Sequence, residues 1–213
     1  MAIASVQQFL EITAKHKISL STQYRLLQFD GCPDYVKREF QEDGGFAYLK
    51  SGSIPSRGLG EIDISYQGFK IPYPGQAVYE SPQEFTFRMP QDALWRNALE
   101  QWSFATYNEV TSNGIGFPCA NSIMDVALVN DKGHIVRIYR YYNVWPAKVG
   151  SAEYNLADAP SEITFGVSMA FTRWTPVSVT DSGALDDSNT TDEQKAIFDQ
   201  YRTTIETAKS ACA

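Results

Sequence analysis

Glu61 and Asp63 lie two residues apart in the run Glu61-Ile62-Asp63-Ile64-Ser65-Tyr66. On an extended strand both carboxylates project from one face, and Ile62, Ile64 and Tyr66 project from the other. Carboxylates that share a site drive each other's protonation apart, which is how one residue type supplies both a general acid and a general base. The solvated face of a half-buried strand accounts for the same pair without chemistry, and it is the reading preferred here. The other reactive residues are sparse. His16 and His134 are the two histidines, and neither has a second histidine or a cysteine at metal-ligand spacing. Gly58-Leu59-Gly60 and Gly114-Ile115-Gly116 lack the third glycine of a dinucleotide fingerprint, and no glycine-rich run ends in Lys-Ser or Lys-Thr. No serine sits in a nucleophile elbow, and Cys119 follows a proline without a cysteine-hydrolase signature. The sequence therefore predicts no enzyme, no cofactor and no metal.

Composition narrows the class further. The chain has 213 residues, of which 43% are apolar, 20% charged and 13% aromatic. That is enough for one domain with a sizeable core plus an appendage. The twelve Tyr and twelve Phe fall mostly in alternating segments and favour β structure. A formal charge of -7 argues against a protein that grips nucleic acid by neutralising phosphates, although the run Tyr139, Tyr141 and Tyr142 could stack on bases. Packing against a neighbouring subunit explains those tyrosines better. Cys32, Cys119 and Cys212 are odd in number and unpaired in spacing, as expected of reduced thiols. The first residues lack the pattern of an export signal, and no span approaches the ~20 apolar residues that cross a bilayer, so membrane insertion is not expected. Asn189-Thr190-Thr191 matches a glycosylation sequon only by chance on this reading.

The elements follow from periodicity. Val6 to Ala14 suggests a short amphipathic helix, Lys17 to Phe29 a first strand, and Asp30 to Gly45 a loop with one helical turn. Pro55 to Gly60 reads as a protruding connection, followed by a strand through Tyr66, a tight turn at Gln67-Gly68 and a strand from Phe69 to Tyr73. Phe85, Phe87 and Met89 alternate with Glu84, Thr86 and Arg88 on another strand. Asp92 is placed to cap a helix that buries Trp95, Leu99 and Trp102. Asn130-Asp131-Lys132-Gly133 joins strands Ile123 to Val129 and His134 to Trp145 as a hairpin. Trp145-Pro146 is expected to end a strand, and Ile163, Phe165, Val167, Met169 and Phe171 mark the buried face of one long final strand. Beyond Pro176 a polar linker leads to a capping box at Thr191 to Gln194 and a helix whose face is Ile197, Phe198, Tyr201 and Ile205. The domains are accordingly 1–176 and 177–213.

The strand ending at Trp145-Pro146, the turn after it and the long strand to Pro176 resemble the closing strands of tail tube proteins of contractile-tailed bacteriophages. The resemblance extends back through the segment from Ile54-Pro55 to Gly75, the Phe85 to Met89 strand and the Asp92 to Phe104 helix, and it covers roughly Ala4 to Pro176. It implies a mainly β fold: two packed antiparallel sheets in a β-sandwich or barrel with a flanking α-helix. In that family hexameric rings close a continuous inner β-barrel and stack into the tail tube. The C-terminal helical extension has no counterpart in the pattern.

By that resemblance, Gly44 to Gly60, with Ser53, Ile54, Pro55, Ser56, Arg57 and Gly58 at its protruding part, is the candidate inter-ring contact, and Ala4 to Leu20 is a second. Glu61, Asp63 and Glu84 are candidate lumen carboxylates that would repel passing DNA. Ile197, Phe198, Tyr201 and Ile205 would dock the terminal helix on the tube exterior, linking neighbours or meeting the sheath. The implied partners are further copies of the chain, a tail sheath protein, and baseplate and tail terminator proteins, with DNA passing through the lumen unbound. The implied location is the virion tail, after assembly in the host cytoplasm. The alternatives are a baseplate tube-initiator of the same fold, a secretion-system or bacteriocin tube, and a carbohydrate-binding or hydrolytic β-domain built on Glu61 and Asp63.

Overall fold

The computed structural model describes residues 23–42, 44–114, 121–154, 162–180, 184–185 and 190–210. The expected N-terminal helix, the Ala4 to Leu20 contact candidate, His16, Cys119, Cys212 and Asn189 lie outside them.

Two four-stranded antiparallel sheets form the body, and β6 (Tyr107–Asn108) pairs with β7 (Asn113–Gly114) in a short separate ladder. The first has the order β1 (Tyr24–Asp30), β8 (Ile123–Val129), β9 (Ile135–Tyr142), β12 (Arg173–Ser178). The second has the order β10 (Trp145–Val149), β11 (Thr164–Ala170), β5 (Gln83–Arg88), β2 (Leu49–Gly52). Phe85 and Phe87 on β5 face Val167 and Phe165 on β11, so the alternating residues of both strands enter one core. From the other sheet Leu26, Met124, Val126, Tyr139 and Tyr141 meet them. Helix α2 (Leu94–Thr106) contributes Trp95, Ala98, Leu99 and Trp102 to the same core. Asp92 Oδ1 accepts the Leu94 N–H at 3.3 Å, which satisfies one donor of the first turn. The segment expected to be a loop with one helical turn contains a short helix α1 (Asp34–Lys37), a π-helical turn (Arg38–Glu42) and a 3₁₀ turn (Gly45–Tyr48). Val36 and Phe40 from it are fully buried.

Two of the chain's crossings between the sheets, from β9 to β10 and from β11 to β12, correct two expectations. The hairpin at Asn130–Gly133 forms as expected, but β9 stops at Tyr142, not at Trp145. Asn143 takes a left-handed conformation (φ +55°) and the chain crosses to begin β10 at Trp145. Pro146 therefore lies inside a strand, and β10 is an edge strand, where proline is tolerated. The long final strand is likewise two strands: β11 ends at Ala170 and β12 begins at Arg173 on the other sheet. The crossings are tied together. Thr172 N–H donates to the Tyr142 carbonyl at 3.0 Å, and Asn143 Nδ2 donates to Thr172 Oγ1 at 3.0 Å.

Strand β12 runs past Pro176 to Ser178, and Val179 bridges to Leu185. The region expected to be linker thus places Val177 and Val179 in a second core, with Ala127, Val129, Ile135 and Ile138 from the outer face of the first sheet. The terminal helix α3 (Asp192–Ser210) closes that core. Sheet β1-β8-β9-β12 is consequently covered on both faces. Among the described residues, sheet β10-β11-β5-β2 has one open face, which carries Glu84, Thr86, Arg88, Thr164 and Gly166.

Candidate assembly surfaces

Strands β3 (Arg57–Tyr66) and β4 (Phe69–Tyr79) pair with each other and join neither large sheet. Gln67 and Gly68 make the tight turn between them, both at positive φ (+49° and +83°). The register opposes Ile62 to Tyr73, Ile64 to Ile71 and Tyr66 to Phe69, which puts all six side chains on one face. The other face carries Glu61 with Pro74, Asp63 with Pro72 and Ser65 with Lys70. The alternation read from the sequence is present, yet among the described residues nothing covers the apolar face: Phe69 is 74% exposed, Tyr66 62% and Tyr73 59%. A two-stranded hairpin is marginally stable in water unless such a face is packed. A contiguous apolar patch of this kind marks an interaction surface.

The hairpin springs from a fixed base. Ser53 Oγ donates to Gln83 Oε1, and Ser56 Oγ donates to Glu80 Oε2 at 2.6 Å. Trp174 Nε1 donates to the Ser56 carbonyl at 3.1 Å, and the Trp174 ring lies edge-on to Tyr79 and Tyr139. Pro55 is buried and Ile54 exposed. Thus Ser53, Ile54, Pro55 and Ser56 form the anchored root, Arg57 and Gly58 start β3, and the projecting part is the ribbon beyond them.

The remaining candidates scatter. Glu61 and Asp63 are exposed on the polar face of the hairpin, with Asp63 Oδ2 3.6 Å from Lys70 Nζ. Glu84 lies on the open face of the second sheet and accepts a hydrogen bond from Ser168 Oγ at 2.5 Å. Arg88 and Lys50 both approach Glu162, at 2.8 and 3.7 Å. Tyr139 and Tyr141 are buried in the chain's own core and Tyr142 lies under the Arg173 guanidinium, 3.9 Å from the ring centroid, so the tyrosine run is internal packing and not a surface for a neighbour. His134 is anchored through its backbone N–H to Asn130 Oδ1.

Ile197, Phe198, Tyr201 and Ile205 are all buried against the first sheet of the same chain. They are therefore occupied within the subunit, and the side of α3 left exposed is the opposite, polar one. Sequence reasoning missed what holds that helix. Asp125, with no exposed surface, accepts from Arg140 Nε and Nη2 at 2.8 and 2.6 Å, from Gln28 Nε2 at 2.9 Å and from Tyr201 Oη at 2.5 Å. Gln200 Oε1 accepts from Arg140 Nη2 at 2.6 Å. Burial works against the Arg140 charge, but its bonds to Asp125 prevail and raise its pKa; burial raises the Tyr201 hydroxyl, and the Asp125 charge adds to this. The signal was present in the sequence, since Asp125 interrupts the otherwise apolar run Ile123 to Val129. At the helix start, Arg173 bonds Glu193 at 2.7 Å and holds its carboxyl below the usual glutamate range. Burial, with the Glu193 hydrogen bond, pushes Tyr142 up to about 12.

No family model matches the sequence, and no curated protein matches it. Solved structures do. The tube-terminating cap of the anti-feeding prophage is 13% identical, with 77% of this chain and 93% of that chain covered at a TM-score of 0.55. A chain of the sheath/tube terminator of the extracellular contractile injection system PVC is 14% identical, with 76% and 97% covered at 0.51. A chain of the PVC sheath–tube complex is 14% identical, with 84% and 100% covered at 0.47. The chain shares its fold with the tube-terminating cap and the sheath/tube terminator of these two contractile systems. The resemblance drawn from the Trp145-Pro146 region holds at the level of fold, with the sheets open in the single chain.

Proposed function

We propose that this chain is a structural, non-enzymatic subunit of a contractile phage tail, forming hexameric rings that stack into the inner tube through which the genome leaves. The observation that carries this reading is the hairpin: a tube-type fold that exposes Ile62, Ile64, Tyr66, Phe69, Ile71 and Tyr73 on one side of a projecting ribbon. Burying that face against further copies removes the apolar surface from water at about 25 cal/mol per Å². The hairpin, together with its root Ser53 to Gly58, is the inter-ring contact. The bore is lined by the open face of sheet β10-β11-β5-β2, because the other sheet is covered on both sides. Glu84 then faces the lumen, while Glu61 and Asp63 lie on the side of the hairpin that stays wet. The polar face of α3 meets the sheath.

Electron microscopy of the purified protein across a concentration series tests the reading. Wild type is expected to form hollow rings and tubes, and Ile64→Ser/Phe69→Ser to remain a folded monomer. A wild type that stays monomeric at every concentration overturns it. A second reading, a ring that ends the tube, draws on the similarity to the tube-terminating cap and the sheath/tube terminator. Rings that never elongate would select it. Once tubes form, Glu84→Gln tubes that eject DNA at the wild-type rate would remove Glu84 from the bore.

A further inference from the structure

We propose that Trp174 is a positioning residue that aims the β3–β4 hairpin, and that the C-terminal helix sets Trp174 through its neighbours on β12. This rests on the assembly reading above. The two sides of β12 hold different things. Arg173 and Thr175 face α3, where Arg173 bonds both carboxylate oxygens of Glu193 (2.7 and 3.3 Å) and Thr175 Oγ1 approaches Glu193 Oε2 at 3.4 Å. Gln194 Nε2 donates to the Pro176 carbonyl at 2.7 Å and fixes the strand along its free edge. Trp174, between Arg173 and Thr175, points the opposite way, packs between Tyr79 and Tyr139 and holds the Ser56 carbonyl. Ser56 immediately precedes β3, and Tyr79 is the last residue of β4. One indole therefore touches both ends of the hairpin where it leaves the body.

The geometry makes this a lever. The ribbon joins neither sheet, so its direction is fixed at its root and nowhere else in the sheet ladders. With a rise of about 3.4 Å per residue, the ten residues of β3 reach about 30 Å, so a small tilt at the root moves the Tyr66–Phe69 tip by several ångströms. An interface tolerates far less than that, since apolar contacts fade within an ångström of a gap. The root bonds contribute little to the folding of the two cores, because Ser56, Glu80 and the indole nitrogen lie at the exposed end of the body.

The test separates aiming from stability. Trp174→Phe keeps an aromatic ring against Tyr79 and Tyr139 and removes the N–H that binds Ser56. Ser56→Ala removes the bond to Glu80 and lies on the surface, so it folds even where the tryptophan variant does not. Full-length protein is compared by thermal melting and by the critical concentration for ring or tube formation. Loss of one such bond in the assembled state corresponds to about a tenfold change at most. Both variants are expected to melt within a few degrees of wild type and to raise the critical concentration about threefold to tenfold. Glu193→Gln is expected to do the same more weakly, and Arg202→Ala, on the exposed face of α3, to do nothing. If wild type assembles and Trp174→Phe and Ser56→Ala assemble at the wild-type concentration, the positioning role is overturned while the assembly reading stands. If Arg202→Ala shifts assembly as much as Glu193→Gln, the link through Arg173 is overturned. If wild type does not assemble at all, the fault lies with the assembly reading itself.

Discussion

Replacing Asp125 by alanine should loosen the C-terminal helix more than any other single change on that face. The carboxylate is completely buried and accepts from Arg140, Gln28 and Tyr201, which belong to β9, β1 and α3. Its removal leaves the Arg140 guanidinium, about 10% exposed, with Gln200 as its remaining acceptor in the group. Breaking one side of a buried pair costs about 3–5 kcal/mol, because the partner charge is left in a poor dielectric without compensation. For a domain of this size that is a fall in melting temperature of about 10 °C. Tyr201→Phe removes one hydrogen bond to a charged acceptor and should cost about 2 kcal/mol. The triple variant Asp125→Leu/Arg140→Met/Tyr201→Phe removes the charges together and should recover most of the loss, since no orphaned charge remains. Urea denaturation gives the three values, and hydrogen exchange of residues 192–207 should show α3 opening before the sandwich. A loss below about 1 kcal/mol for Asp125→Ala, or a triple variant no more stable than the single, would refute the reasoning that the network is a charge-compensated lock.

Thr191→Ala removes the hydroxyl that faces the Gln194 N–H at 3.4 Å in a capping box, and should cost about 1 kcal/mol, read by thermal melting. The Glu193 carboxyl is held low by Arg173, so its contribution is present above the ordinary glutamate pKa and is lost as pH falls below about 4.3; the pair is exposed, which limits the effect to under about 1 kcal/mol. An NMR titration of that carboxyl in wild type and Arg173→Gln checks the sign: the midpoint should rise in the variant. Gly31 has φ +64° and a Cβ there would overlap the Asn121 carbonyl, so Gly31→Ala should cost about 2–3 kcal/mol in denaturation. Pro72→Val with Pro74→Val restores two backbone donors on the hairpin and should increase amorphous aggregation, measured by light scattering at concentrations where wild type is clear.

Most local elements were legible, because each depends on a short-range pattern. The Phe85–Phe87 alternation, the Asn130–Gly133 turn, the Gln67-Gly68 turn and the capping box at Thr191 are all in place. The sheet crossings were not legible. A proline at position 146 removes a donor whether it ends a strand or sits on an edge, and the sequence around it does not say which. The burial of Ile62, Ile64 and Tyr66 was misjudged for the related reason that period-two alternation reveals a two-faced strand but not whether its apolar face is covered by the same chain. Asp125 and Arg140 could have been found by asking why ionisable residues interrupt runs that are otherwise apolar. Their pairing across β8 and β9 follows from the hairpin register once the turn is placed.

The register of the hairpin also says how it can bind. Asp63 pairs with Pro72 and Glu61 with Pro74 in an antiparallel ladder, and proline has no N–H to give. These are therefore the non-hydrogen-bonded pairs, whose backbone groups point away from the partner strand. The prolines thus remove donors from the open edge of β4, and the open edge of β3 carries Glu61 and Asp63 in the same rows. Both edges are poor templates for another strand. The alternate pairs, Ile62 with Tyr73, Ile64 with Ile71 and Tyr66 with Phe69, supply the ladder bonds that hold the ribbon together and place its apolar side chains on one face. Edge pairing is discouraged while face packing is left open. A partner for this ribbon is selected by the shape and apolarity of its own surface, not by a free strand, which suits a repeating contact between folded subunits better than capture of an extended peptide.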